Sequence, residues 1–331
     1  VLHKNSQHIT RATVSGAKAA ASLLFATIGA WIAYSTFAVE HDVPLPPAVD
    51  AERKVLTPAG VGRLSYYVDK MNAGRPLLLV HSINAAPSAF ELKPLFDHYR
   101  RHRPVYAVDL PGFGFSERSN RRYSPALYQE AIQQMLVTIG EPADVIALSL
   151  SCEFAATVAL THPEMVNSLV CLSPTGLNAN PVRISATTSK RIYDAVTVPL
   201  WGQALYDLLV IRPSIRYFLN MSLVESAPDE MIDYAYATSH QPGAKIAPFH
   251  FLSGQLFTWD ILPTVYEKLT TPTLMIYDQD PNIDFGMLPQ LLQRNPAVRG
   301  ARIAPTLGLA HWEKLAETTA VLDEFWNDKD E

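Results

Sequence analysis

Between Asp144 and Ala156 an apolar, β-branched run, Val145-Ile146-Ala147-Leu148, passes directly into an Ala-rich segment with no Gly, Pro or Asn between them. The first part reads as a buried strand and the second as a helix. The chain must therefore turn very sharply there on ordinary small residues. Ser149 sits at the tip, with Ala147 two residues before it and Ser151 two after. Strand and helix pass close together at such a turn, so the flanking positions have to be small; Gly is usual, and Ala and Ser are the smallest replacements. A small-x-Ser-x-small turn of this kind lifts a serine hydroxyl at the carboxyl end of a sheet. Small residues flank many serines, so the weight of the pattern rests on its surroundings.

From about residue 55 the chain alternates between strand-like and helix-like segments. Leu64 to Val68, Leu77 to Val80, Val105 to Val108, Val145 to Leu148, Leu169 to Leu172 and Thr273 to Tyr277 read as strands, with a short one at Ala301 to Ala304. Helical spacing appears in Pro87 to Tyr99, Pro125 to Ile139, about Leu288 to Leu292 and Trp312 to Trp326. This alternation predicts an α/β fold, a mostly parallel central sheet with helices on both faces. The rhythm breaks between about residues 177 and 268, where aromatic-rich helical pieces replace the strands. A helical insertion in such a sheet is expected to form a lid over the strand ends, where ligands bind.

The first forty residues differ from the rest. Lys4, Arg11 and Lys18 are the only full charges before Glu40, and the 21 residues from Ala19 to Val39 carry none. As a helix that run would span about 31 Å, the thickness of a bilayer core. It is read here as a membrane anchor, with a cleaved targeting segment and a soluble docking helix as the alternatives. Positive charge precedes the span, which tilts the expected orientation towards a domain outside the cytoplasm. Residues 41–54, with Pro44, Pro46 and Pro47, read as a semi-rigid linker. The expected organisation is thus an N-terminal hydrophobic helix over residues 1–40, a Pro-rich linker over 41–54, and one domain from 55 to 331. A net charge of −5 leaves no basic footprint for nucleic acid. Cys152 and Cys171 fall on the elbow helix and a buried strand, where core thiols are expected.

Four features fall in chain order. His81-Ser82-Ile83-Asn84 follows the first buried strand, and Asp109-Leu110-Pro111-Gly112-Phe113-Gly114-Phe115-Ser116 the second. The turn at Ser149 is third. Last, Tyr277-Asp278-Gln279-Asp280-Pro281 ends a strand and Gly308-Leu309-Ala310-His311-Trp312 precedes the final helix. Here, over about residues 55 to 328, the chain resembles the α/β-hydrolase fold superfamily, specifically its lidded serine hydrolases with an Asp-x-Pro-Gly-x-Gly-x-Ser loop. The resemblance implies a catalytic triad of nucleophile Ser149, base His311 and acid Asp280, with Asp278 the second choice and Asp284 a distant third. A serine hydroxyl needs an imidazole to take its proton, and the imidazole needs a carboxylate to hold its tautomer. It further implies an oxyanion hole from the backbone N–H groups of Leu150 and Ile83. The family usually has Gly where Ser82 and Asp278 stand.

The implied activity is a serine hydrolase cleaving an ester, thioester or related acyl bond through an acyl-serine intermediate, without metal or organic cofactor. The lid aromatics point to an apolar small molecule as substrate. The alternative from another class is a non-catalytic binding or docking protein on the same fold, tethered to a membrane or a larger assembly. His81 is expected to support its loop, and His240 and His250 to lie on the lid surface or line the pocket. Arg118, Arg121 and Arg122 are expected to be solvated or to meet an anionic part of a substrate.

Overall fold

A computed structural model describes residues 22–23, 26–181 and 183–330. Its eight strands are β1 (Glu52–Leu56), β2 (Leu64–Asp69), β3 (Leu77–Val80), β4 (Val105–Asp109), β5 (Ala143–Leu148), β6 (Val166–Leu172), β7 (Thr273–Tyr277) and β8 (Val298–Arg302). They form one sheet in the order β1-β2-β4-β3-β5-β6-β7-β8. The β1–β2 and β2–β4 pairs are antiparallel and all the others parallel. β3 and β5 are buried along their whole lengths, as the apolar runs Leu77–Val80 and Val145–Leu148 require of strands covered on both faces. Strand order switches between β3 and β5, since the chain leaves β3 towards β4 and leaves β5 towards β6. Loops diverge at such a point and open a crevice above the sheet.

The two edges are where the strand reading is least complete. β1 is exposed over most of its length and begins Glu52-Arg53-Lys54, inside the stretch read as linker. Charge on an edge strand blocks pairing with another chain, and the same charge hides the strand from a search for apolar alternation. β8 runs from Val298 to Arg302 and is largely exposed; it starts three residues earlier than expected and ends two earlier.

Helices cover both faces. The helix α3 (Pro125–Ile139) starts where Ser124 caps it with Pro125 in its first turn, and ends at Gly140, whose φ of 83° closes it. α3 and α4 (Ser151–Thr161) pack on one face of the sheet over Leu78, Val80, Val145 and Ala147. α2 (Lys93–Tyr99) and α13 (Leu315–Asp330) pack on the other, over Leu77, Leu79, Ile146 and Val170. Between β6 and β7 stands a large helical insertion: α5 (Ala186–Val196), α6 (Gly202–Val210), α7 (Arg212–Met221), α8 (Asp229–Ser239), α9 (Ile246–Leu252) and α10 (Ile261–Thr264). Tyr206, Tyr234 and Phe249 are buried within or beneath it.

The expectation of a membrane anchor is corrected. Among the described residues no helix is long and apolar enough to cross a membrane. The helix α1 is continuous over residues 26–37, about 18 Å at 1.5 Å per residue against a core of about 30 Å. The expected span also takes in residues 19–21, 24 and 25, which lie outside the described residues. One face of its described part meets protein, at Trp31 and Ser35. Trp31 Nε1 donates to Ala204 O at 2.8 Å, and the fully buried Ser35 donates through Oγ to Asp207 Oδ2 at 2.6 Å. The membrane association drawn from residues 19–39, and the membrane-anchored location, fall with it. Trp31 and Ser35 are the polar-tipped residues of that run that meet α6, whereas Thr27 and Thr36 are exposed and bond to carbonyls of their own helix.

Candidate active site

The C-terminal ends of β3, β5, β6 and β7 lie side by side, with Val80 opposite Ala147 and Leu172 opposite both Leu148 and Ile276. The residues that follow each strand end therefore gather on one rim. Ser149 joins β5 to α4 at a φ of 55°, the left-handed region. A side chain is strained there, and what pins it is the Ser149 N–H bond to Leu172 O at 2.8 Å. Two residues on, Ser151 Oγ donates to His81 O at 2.6 Å. The residue standing in for glycine thus ties the elbow helix to the end of β3.

Among the described residues the N–H groups of Leu150 and Ile83 have no acceptor. The loop between them is held differently from a glycine loop. Glu91, in the short helical turn Ala89–Leu92, accepts Ser82 N–H on Oε2 at 2.9 Å and Ser82 Oγ–H on Oε1 at 2.9 Å. Asn84 Nδ2 donates to the same Oε1 at 2.8 Å, while Asn84 Oδ1 accepts Ala86 N–H at 2.8 Å. Burial raises the Glu91 carboxyl above its ordinary pKa, against the lowering effect of the Ser82 and Asn84 hydrogen bonds.

His311 lies on α12 (Ala310–Glu313) and is fully buried. Its Nε2 stands 2.7 Å from Glu91 O, which also accepts Trp312 Nε1–H at 2.7 Å. A carbonyl only accepts, so Nε2 carries the proton and Nδ1 the lone pair. Nδ1 is buried with no partner. Burial lowers the ring's pKa to about 4, against the raising effect of the Glu91 carbonyl. The ring is bonded to neither Ser149 nor Asp280, so the three expected triad residues share a rim without being joined.

The acids sort by partner. Asp280 Oδ2 accepts Ser173 Oγ–H at 2.8 Å and Oδ1 accepts Asn282 N–H at 2.8 Å. A Cβ placed on Gly308 would come within 2.7 Å of Asp280 Oδ2, so the His311 loop passes directly over this carboxylate. Burial raises the Asp280 pKa, opposed by Asn282 N–H, Ser173 Oγ–H and Ile283 N–H. Asp278 is engaged elsewhere, by Arg302 Nε at 2.7 Å and Thr306 N–H at 2.9 Å. Burial alone would raise its pKa, but those bonds carry it below the ordinary carboxylate value. Asp284 is exposed and caps Ala179 N–H and Gly286 N–H.

Other polar residues of this region have structural partners. His81 is buried, its Nδ1 on Ser82 O at 2.6 Å and its Nε2 accepting Leu110 N–H at 2.9 Å. His240 and His250 are buried rather than on the surface. Arg118 is not a solvated charge: its Nη2 donates to Gly114 O and Thr238 O, joining the β4 loop to α8. Arg121 donates to Gly60 O and Val61 O. Cys152 and Cys171 are free, buried thiols. No group of His, Cys, Asp or Glu among the described residues is placed to hold a metal ion.

Sequence reasoning missed Glu91, Ser173 and Glu153. Glu153 Oε1 accepts Thr175 Oγ1–H at 2.6 Å and Oε2 accepts Thr258 N–H at 2.8 Å. The available signal for Glu91 was the pair of polar residues, Ser82 and Asn84, in a loop expected to be glycine-bearing. Ser173, at φ 45° after β6, had no such signal.

A sheet with a switch point between β3 and β5, a helical insertion after β6 and a strained serine at the switch define a class of α/β proteins with a lid-like insertion and a sharp serine turn. The alpha/beta hydrolase family model matches residues 77–319, and the chain belongs to that family. It is 31% identical over 172 residues to the 2-hydroxymuconate semialdehyde hydrolase of Pseudomonas putida, covering 51% of this chain and 56% of that one. The chain thus spans about half the length of that relative. It is 25% identical over 240 residues to the pimeloyl-(acyl-carrier protein) methyl ester esterase of Aeromonas salmonicida, covering 71% of this chain and 88% of the other. The crystal structure of a serine hydrolase involved in carbazole degradation superposes with a TM-score of 0.67 at 16% identity, over 84% of this chain and 99% of its own. At that identity the likeness is one of fold.

Proposed function

We propose that this chain is a serine hydrolase that cleaves an ester, thioester or related acyl bond of an apolar small molecule. Ser149 Oγ attacks the carbonyl carbon, His311 takes its proton, and Leu150 N–H and Ile83 N–H receive the oxyanion. The leaving group departs with the proton from His311, and water then releases the acyl group from Ser149 by the reverse sequence of proton transfers. Asp280 is the acid in this reading, because Asp278 is taken up by Arg302 and Thr306. The observation that carries the reading is Ser149 in a left-handed turn at the strand-order switch, with two unbonded N–H groups on either side. The relatives from Pseudomonas putida and Aeromonas salmonicida are named as a hydrolase and an esterase, which agrees with it.

For turnover the His311 ring has to exchange the Glu91 carbonyl for Ser149 and Asp280. That same contact is the observation that favours a second reading, a non-catalytic binding protein on this fold. A fluorophosphonate probe and p-nitrophenyl butyrate separate the two. Under the hydrolase reading the wild-type chain is labelled and turns the ester over, and Ser149→Ala does neither. A wild-type chain that stays unlabelled beside an active control hydrolase rejects the hydrolase reading.

A further inference from the structure

We propose that Glu91 is a positioning residue for the oxyanion loop, using its side chain to do what a glycine-shaped backbone does in relatives. This rests on the hydrolase reading above and adds to it a residue with no place in the triad. The loop from His81 to Ala86 carries Ser82 where the family favours Gly, and neither Ser82 nor Asn84 takes a positive φ. Instead, one carboxylate collects three hydrogen bonds from two loop residues: Ser82 N–H, Ser82 Oγ–H and Asn84 Nδ2–H. Ile83 lies between those two residues. Fixing both neighbours fixes the peptide whose N–H is left without an acceptor. Three hydrogen bonds from two residues to one buried side chain hold a short loop firmly, because leaving any of those donors unsatisfied would cost its desolvation.

The same residue also faces the base. Glu91 O takes Nε2 of His311 and Nε1 of Trp312, both at 2.7 Å. Side chain and carbonyl of one residue therefore reach the oxyanion loop on one side and the His311 helix on the other. Tyr206 OH, from α6 of the insertion, donates to Ala85 O at 2.8 Å and closes the loop from above. Ser151 Oγ holds it from below through His81 O. Of these three supports only Glu91 bonds to the residues directly flanking Ile83.

The test uses the full chain. In Glu91→Gln the amide keeps the shape and one acceptor oxygen, but it presents N–H to at least one of the loop's donors. The expected result is a fall in kcat on p-nitrophenyl butyrate of about 10- to 100-fold at nearly unchanged KM, below the 100- to 1000-fold that outright loss of a hole donor costs. The inhibition constant of octyl trifluoromethyl ketone, whose adduct places an oxyanion in the hole, should rise by the same factor. A residue that merely supported the fold would not move kcat and this constant together while leaving KM. Ser82→Ala and Asn84→Ala each remove one bond to Glu91, and a several-fold loss in both readouts is expected of each. If Glu91→Gln does not fold, these two variants decide. Wild-type kcat and wild-type inhibition in all the variants that fold overturns the role of Glu91 and leaves the hydrolase reading standing. A wild type that neither labels nor turns over removes both.

Discussion

At the scale of single residues, the elbow is held against its own backbone preference. Ser149 occupies φ 55°, a region that costs an L-residue about 1 kcal/mol and glycine almost nothing. Ser149→Gly is accordingly expected to be more stable than Ser149→Ala by roughly 0.5–1 kcal/mol in urea unfolding, although neither accepts the fluorophosphonate label. Equal stability of the two variants would show that the turn stores no strain. Of the residues that stand where glycine is usual around this site, the two serines are both used. Ser151 bonds His81 O and Ser82 bonds Glu91, so each added hydroxyl has a buried acceptor rather than empty space. Ser149, Ile83 and Leu150 belong to short contiguous motifs, which is why sequence alone nominates them. Glu91 is not so nominated, since its partners lie seven and nine positions before it on the far side of a loop, and spacing alone does not say which way a loop folds.

At the scale of elements, the N-terminal helix changes meaning once its partner is seen. Asp207 on α6 is almost fully buried and accepts three donors: Ser35 Oγ at 2.6 Å, His41 Nε2 at 2.9 Å and Gln203 Nε2 at 2.8 Å. Val43 N–H adds a bond to His240 O, at the end of α8. A run without charges reads as a membrane span when no partner is known, because water is its only visible alternative. Here the partner is a buried carboxylate two-thirds of the way along the chain. Asp207→Ala would leave Ser35 and His41 without their acceptor, at a cost of about 2 kcal/mol. The expected readout is faster amide hydrogen exchange in residues 31–43 with the exchange of β3 and β5 unchanged. If exchange in α1 does not respond, the Asp207 cluster is not what docks it.

At the scale of the whole molecule, Glu153 connects the parts. It projects from the elbow helix α4 to Thr175, where the chain leaves the sheet for the insertion, and to Thr258, near where it returns. Burial pushes its carboxyl up to about 7 from 4.5, against the opposing hydrogen bonds of Thr175 and Thr258. A folded-state pKa above the unfolded one means that the folded protein binds this proton more tightly. Its contribution is complete below about pH 4.5 and is lost as pH rises to about 7, a decline of about 3 kcal/mol in unfolding free energy. Glu153→Gln lacks that titration. Urea unfolding between pH 4.5 and 8 should therefore show the wild type losing stability relative to the variant as pH rises, with no further change above about pH 8. Parallel curves for the two proteins would place Glu153's pKa near its ordinary value.

The sequence by itself determined the α/β class, the buried central strands, the helical insertion and the serine turn, because these rest on local periodicity and on contiguous motifs whose backbone geometry admits few residue types. The edge strand β1 escaped, since exposure there rewards charge rather than alternation. Tertiary structure alone decided that the apolar N-terminal run meets Asp207, that Asp278 is engaged by Arg302, and that His311 rests on Glu91 O. Each of these pairs residues far apart in the chain, and a hydrogen bond depends on where two side chains meet in space, which no local pattern encodes.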